Sequence, residues 1–316
     1  MDLVEQRAPA AAKYNLNDAR PFINKSISEH TRRAYRRITA HFFQFLNYPQ
    51  PGNVVPQDVL RWRDSLMKEK RASTVVNYLA VVRSFFSYLE AAGMIKFNPA
   101  SPKFVPSPPL DESSRGRALT AQQARNFLVG PDREVASGAR DYAIILLALR
   151  TSLRVSEIKN IRASSILRYG NDKWKLRIKV KGGRHREIPL PLEVKQAIDE
   201  YLKLDAYRRD VMHSDGAEAF VFQPHYNYRT KVYNKALSAQ HIWNIVRRWA
   251  VYTGVGKLSP HDLRRTAITR ALAQKSSYRQ VQMMTGQTDI KTVMKYDMER
   301  DNLEQNAIND LNYEGD

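Results

Sequence analysis

Apolar residues recur at three- and four-residue steps over most of the chain and at two-residue steps over one short stretch, which predicts helices with a single β-hairpin. From Ser28, whose hydroxyl can cap a helix, Tyr35, Ile38, Phe42, Phe45 and Leu46 fall on one face of an amphipathic helix. A second helix is predicted over 58–68. A third runs over 73–92, with Val75, Leu79, Val82, Phe86 and Leu89 as its apolar stripe and Gly93 as its stop. Stripes of this kind build a core, so residues 21–100 read as a small all-helical domain preceded by a flexible lead-in over 1–20.

The pattern lapses over 101–117, where proline and serine are dense, and this stretch reads as a linker. Thr120 then caps a new helix, and Asp141 to Leu149 is apolar enough to be buried, opening a second domain over 118–300. Between Trp174 and Leu190, the apolar residues Leu176, Ile178 and Val180 alternate with cations and then meet Gly182-Gly183, a hairpin signal that places Lys181 at the tip. Further helices are predicted over 238–252, 262–273, 278–284 and 290–298. Beyond them Leu303, Ala307 and Leu311 give the 301–316 tail a small apolar face, which either folds back on its own domain or docks on a neighbour.

Charge changes this picture. The 316 residues contain 51 Lys plus Arg against 32 Asp plus Glu, a formal net charge of +19 that calls for a polyanionic partner. The cations run from Arg32 to Arg300, so the folded surface itself is basic. Arg32, Arg33, Arg36 and Arg37 crowd the first long helix, either as a solvated face or as phosphate contacts. The absence of cysteine excludes disulfides, thiolate nucleophiles and cysteine zinc sites. The longest apolar stretch, 142–149, is too short to span a bilayer, and the acidic, polar start does not read as a signal peptide, so a soluble cytoplasmic protein associated with the nucleoid is expected. No Walker loop, metal-nuclease carboxylate cluster or RNA-binding aromatic run occurs.

Candidate chemistry lies in separated pieces. Arg154 follows the buried apolar helix with Glu157 one turn on, either as a structural ion pair or as an anion site. His261 and Arg264 follow Ser259-Pro260 on the first turn of a helix, where free N–H groups favour an anion and where a simple cap is the alternative. Tyr296 comes late. Guanidinium forks suit the non-bridging oxygens of a phosphate, histidine moves protons near neutral pH, and a phenolate can attack a phosphodiester.

In this order the pieces resemble the tyrosine recombinase, or phage integrase, family. Thr151-Ser-Leu-Arg154-Val-Ser-Glu157 resembles its first arginine box, Lys181-Gly-Gly-Arg-His-Arg-Glu its lysine hairpin, and His261-Asp-Leu-Arg264 its second box. Thr285-Gly-Gln287, with Tyr296 nine residues on, resembles the approach to its nucleophile. Two positions depart from the pattern: Ser152 stands where glycine is usual, and Gln287 where histidine or tryptophan is usual.

The resemblance implies a mainly α fold with a small β-sheet: an N-terminal helical core-binding (SAM-like) domain and a mixed α/β catalytic domain. It implies that Tyr296 forms a 3′-phosphotyrosyl link, that Arg154, Arg264 and Gln287 bind the phosphate, that His261 assists proton transfer from the phenol, and that Lys181, rather than Lys179, protonates the leaving oxygen. Glu157 would orient Arg154 or His261. It implies neither metal nor other cofactor. The partner would be double-stranded DNA with specific sites, exchanged by a homotetramer through a Holliday junction, with or without accessory DNA-binding proteins, in integration, excision or transposition of a mobile element or in resolution of chromosome or plasmid dimers. A type IB topoisomerase and a catalytically silent DNA-binding protein of the same fold are the alternatives, the second because of Gln287.

Overall fold

In the computed structural model, residues 13–110, 116–180, 183–205, 216–224 and 235–297 are described. Lys181, the predicted hairpin tip, lies outside them, as does the 301–316 tail with Leu303, Ala307 and Leu311. The chain divides into two compact units, 1–114 and 115–316.

The first unit is helical: α1 (Arg20–Asn24), α2 (Glu29–Phe45), α3 (Pro56–Glu69) and α4 (Ala72–Ala91). Ser28 caps α2 by accepting the Thr31 N–H at 3.4 Å. Proline at the first position of α3, where no N–H partner is needed, starts that helix two residues before its predicted position. Ile38, Phe42, Trp62, Val82 and Phe86 are buried in one aromatic-rich core. Phe45 departs from its predicted place on the apolar face: it is the last residue of α2, beyond the turns that pack, and is 43% exposed, while Phe43 is fully buried. Arg33, Arg36 and Arg37 are exposed on α2, and Arg32 pairs with Glu29 at 3.1 Å.

Residues 98–107 are held against α4 from within this unit. Arg83 donates to the Ala100 and Val105 carbonyls at 3.0 and 2.6 Å and to Ser107 Oγ at 2.9 Å, and Asn98 donates to the Arg83 carbonyl at 3.0 Å. Ala100 and Val105 are buried in the same core.

The second unit begins with α5 (Ala121–Val129), capped by Thr120, followed by α6 (Ala136–Thr151) and the single turn α7 (Val155–Ile158). A three-stranded antiparallel sheet follows, β1 (Ile166–Gly170), β2 (Lys173–Lys179) and β3 (His185–Leu190), in the order β1-β2-β3. The β2–β3 register pairs Leu176 with Ile188 and Ile178 with Arg186. Gly183 adopts φ +80° in the turn, a conformation that glycine reaches without strain. Then come α8 (Leu192–Leu204), α9 (Ala239–Tyr252), α10 (Pro260–Ala273), α11 (Tyr278–Thr285) and α12 (Ile290–Met294). α12 ends before its predicted limit, which leaves Tyr296 just past the helix.

α6 is the centre of this core, with Ala143, Ile144, Ile145 and Leu147 fully buried. Asp141 is buried in it and accepts from Arg140 Nη2 and Trp249 Nε1, each at 2.9 Å, and from Arg248, which fixes α9 to α6. A buried carboxylate needs such partners, because alone it would shed its charge. Among the described residues, no helix is long and apolar enough to cross a membrane.

α6 ends at Ser152 in the left-handed region, φ 55° and ψ 22°, with its Oγ buried and without a hydrogen-bond partner. A side chain there bears both backbone strain and an unsatisfied hydroxyl. Ser152→Gly relieves both and is expected to stabilise the protein by about 1 kcal/mol, raising Tm by roughly 2–4 °C. A thermal melt at neutral pH checks this.

Candidate active site

The site is built where the end of α6, the start of α10 and the end of α11 meet. Arg154 is the N-cap of α7, and Glu157 reaches back to it. The Arg154 N–H donates to Glu157 Oε2 at 2.7 Å, and Arg154 Nη1 donates to Glu157 Oε1 at 3.2 Å. The Arg154 side chain stays 46% exposed while that of Glu157 is 6% exposed, so the carboxylate is the fixed member and the guanidinium the presented one.

Arg264 is the reverse case, only 3% exposed. Its Nη1 donates to the Ser152 carbonyl and its Nη2 to the Thr285 carbonyl at 3.2 Å, so one guanidinium joins the ends of α6 and α11. Burial, with Arg154 close by, pushes its pKa down to about 10, against a smaller upward pull from Glu157 and Tyr296. It is still a cation at neutral pH, and a bound anion would relieve the positive excess around it.

His261 sits on the first turn of α10, where Asp262 Oδ2 accepts from the Ser259 N–H at 2.8 Å and from the Ser259 hydroxyl at 2.7 Å. Desolvation, then Arg264 and Arg265, and finally Arg154 hold its imidazole below the usual value. At neutral pH it is therefore uncharged and able to accept a proton.

Tyr296 is 7% exposed, packed with Ile268, Val281 and Val293 in a cluster of its own. The Arg265 guanidinium lies 4.8 Å from the centre of the Tyr296 ring, and the Tyr296 backbone N–H donates to the Val293 carbonyl at 2.9 Å. Next to it, Asp297 accepts from the Tyr278 hydroxyl. Thr285 Oγ1 lies 3.3 Å from Gln287 Oε1 and 3.2 Å from the Gln282 carbonyl, and its one proton serves one or the other.

Arg154, Glu157, His261, Arg264, Gln287 and Tyr296 are thus brought to one region of the second unit. Arg32, Arg33, Arg36 and Arg37 belong to the first unit. Among the described residues, no group of three or more His, Asp or Glu could hold a metal ion.

One residue of the site was given no role by the sequence reading. Arg186, on β3, donates to the Met284 carbonyl at 2.9 Å and lies 3.6 Å from Glu157 Oε2. Its signal was nonetheless present: Arg186, Ile188 and Leu190 share one face of the strand, and a cation in an otherwise apolar register needs a buried partner.

The histidines make stability pH-dependent. His41, His241 and His261 are all held below the ordinary imidazole value, each chiefly by burial and then by nearby cations: Lys70 for His41 and Arg140 for His241. The unfolded chain takes up these protons at about pH 6.5, before the folded one does, so stability is full above that value and is lost as pH falls through it. Tm is expected to be lower at pH 5.5 than at pH 7.5; an equal or higher Tm at the acid value would contradict this.

Comparison with known proteins identifies the family of the chain. Residues 117–302 match the phage integrase family, and residues 22–93 match the phage integrase N-terminal SAM-like domain. A tyrosine recombinase XerC from Thermodesulfovibrio yellowstonii is 28% identical over 279 residues, 87% of each chain. A tyrosine recombinase XerD from Xanthomonas axonopodis pv. citri is 30% identical over 246 residues, 76% of this chain and 75% of its own. Among solved structures, XerH recombinase bound to palindromic difH in a post-cleavage complex shares the fold with a TM-score of 0.70 at 15% identity, covering 89% of this chain and 80% of that one. A lambda integrase dimer bound to a COC′ core site does so with a TM-score of 0.67 at 16% identity, covering 90% and 95%. With family matches over both units and relatives aligned along most of its length, the chain belongs to the phage integrase family of tyrosine recombinases.

Proposed function

We propose that this recombinase cuts and rejoins duplex DNA at specific sites through a covalent 3′-phosphotyrosyl intermediate. The observation that carries the reading is the buried Arg264 guanidinium, held by the Ser152 and Thr285 carbonyls beside Arg154, with His261 and Tyr296 near enough for the charges to act on one another.

In this reading the Tyr296 oxygen attacks the scissile phosphorus as its proton passes to His261. The bond from phosphorus to the 5′-oxygen breaks, and Lys181 supplies the proton that the leaving oxygen needs. Arg154 and Arg264 stabilise the charge that grows on the non-bridging oxygens, with Gln287 as a further donor. The phosphotyrosyl bond keeps the energy of the phosphodiester, so a 5′-hydroxyl from another strand reverses the step without ATP. The step does not depend on whether the two sites lie on one molecule or two, so it serves integration, excision, transposition or resolution of chromosome or plasmid dimers equally. Strand exchange through a Holliday junction by four protomers fits the fold, since a lambda integrase of the same fold has been solved as a tetramer bound to a Holliday junction. The exposed Arg33, Arg36 and Arg37 are assigned to the DNA backbone, in keeping with the +19 charge.

The test is trapping on duplexes that the protein itself selects from a randomised pool, nicked so that the cut strand cannot rejoin. A protein–DNA adduct on a denaturing gel is expected, and tight binding without an adduct would favour a silent binder. Gln287 allows a finer check: an amide can donate but carries no charge. Gln287→His is expected to raise the single-turnover cleavage rate with DNA affinity unchanged, and a slower His variant would mean that the site is built around the amide.

A further inference from the structure

Arg186 has no part in the chemistry above, yet its setting is a costly one for a cation. It pairs with Ile178 across the β2–β3 ladder, on the face where Leu176, Ile188 and Leu190 are buried. An aliphatic side chain would continue that face, whereas a buried guanidinium must be compensated. Its Nε has no hydrogen-bond partner, its Nη2 meets Glu157 only as an ion pair at 3.6 Å, and burial lowers its pKa. Its polar contacts go to two places far apart in sequence: the end of α11, where Nη1 donates to the Met284 carbonyl, and Glu157, the carboxylate that holds Arg154.

The end of α11 is shaped to receive it. Gly286 takes φ +65°, and a Cβ there would lie 2.8 Å from Arg186 Nε and 2.9 Å from its Cζ. The guanidinium therefore rests on the backbone directly before Gln287. Arg264 spans the same gap from another helix, from the Ser152 carbonyl to the Thr285 carbonyl. Two arginines thus make parallel bridges between the 152–157 segment and successive carbonyls at the end of α11.

We propose that Arg186 is a positioning residue for strand cleavage: it ties Glu157, and through it Arg154, to the end of α11, and so sets the spacing between Arg154 and the Gln287 loop across the scissile phosphate. This rests on the reading of the site as one of strand cleavage. Glu157 then faces Arg154 and Arg186 together, so its charge is shared and the Arg154 guanidinium remains available to an anion. Both bridges act on geometry, and a displacement of about 1 Å among groups that grip a reacting centre costs on the order of 10²-fold in rate.

The experiment compares wild type, Arg186→Met and Arg186→Lys for Tm, for affinity to the selected duplex, and for single-turnover cleavage at saturating nicked duplex. Arg186→Met keeps the apolar stem and removes the fork. It is expected to bind DNA as wild type does and to cleave about 10²-fold more slowly, with part of the rate restored in Arg186→Lys. In a Glu157→Gln background the replacement should cost clearly less, because the two side chains act as a unit. If Arg186→Met does not fold, Arg186→Lys decides alone, a slowed rate at unchanged affinity supporting the proposal. Wild-type cleavage at saturation, with any loss confined to Tm or affinity, would overturn it and leave Arg186 a structural residue. Failure of the wild type itself to form an adduct would instead overturn the reading of the site, and this proposal with it.

Discussion

Tyr296→Phe should abolish strand cleavage while leaving fold and DNA binding intact. The ring is packed with Ile268, Val281 and Val293 and lies against Arg265, contacts that phenylalanine reproduces. Among the described residues the hydroxyl makes no hydrogen bond within the protein, so its removal leaves no orphaned partner. Only the attacking oxygen is lost. Removing a covalent nucleophile costs on the order of 10⁴-fold or more, which places adduct and recombinant product below detection. Gel-shift affinity and Tm should match the wild type; a Phe variant that still accumulates adduct would mean that another side chain attacks.

The second large effect separates the two arginines. Arg154 is 46% exposed and engages a single carboxylate, so Arg154→Ala should fold normally yet cleave about 10²–10³-fold more slowly, the loss typical when one charge-stabilising donor is removed. Arg264 is both part of the fold and part of the site. Arg264→Ala leaves the Ser152 and Thr285 carbonyls without their partner, at about 1–3 kcal/mol. It should therefore lower Tm by several degrees as well as the cleavage rate. Single-turnover rates and melts on the two variants test this contrast, and a normal Tm for Arg264→Ala would contradict the bridging role.

The helices were legible because their signals are local. Ser28 and Thr120 cap α2 and α5 as their hydroxyls predict, and Gly93 follows the end of α4. The hairpin was legible from alternation into Gly-Gly. β1 was not, because Ile166–Gly170 is short and only half-buried at its start, and it exists as a strand through pairing with β2. Phe45 misled because helical phase says which way a side chain points but not where the partner surface ends. The candidate site was legible as an ordered set of residue types. Its geometry was not, since Arg264 and Arg186 are defined by carbonyls at Ser152, Met284 and Thr285, and any residue supplies a carbonyl. The different exposure of Arg154 and Arg264 belongs to tertiary packing in the same way.

The central claim is that Tyr296 becomes joined to a DNA 3′-phosphate. Tryptic digestion of the trapped complex, followed by nuclease trimming and tandem mass spectrometry, reads this directly, because cleavage after Lys295 and Arg300 releases the five-residue peptide that begins at Tyr296. A nucleotide 3′-phosphate carried on the Tyr296 oxygen is the result expected. A modification on any other residue, or trimmed DNA ends with no peptide attached, would contradict the account.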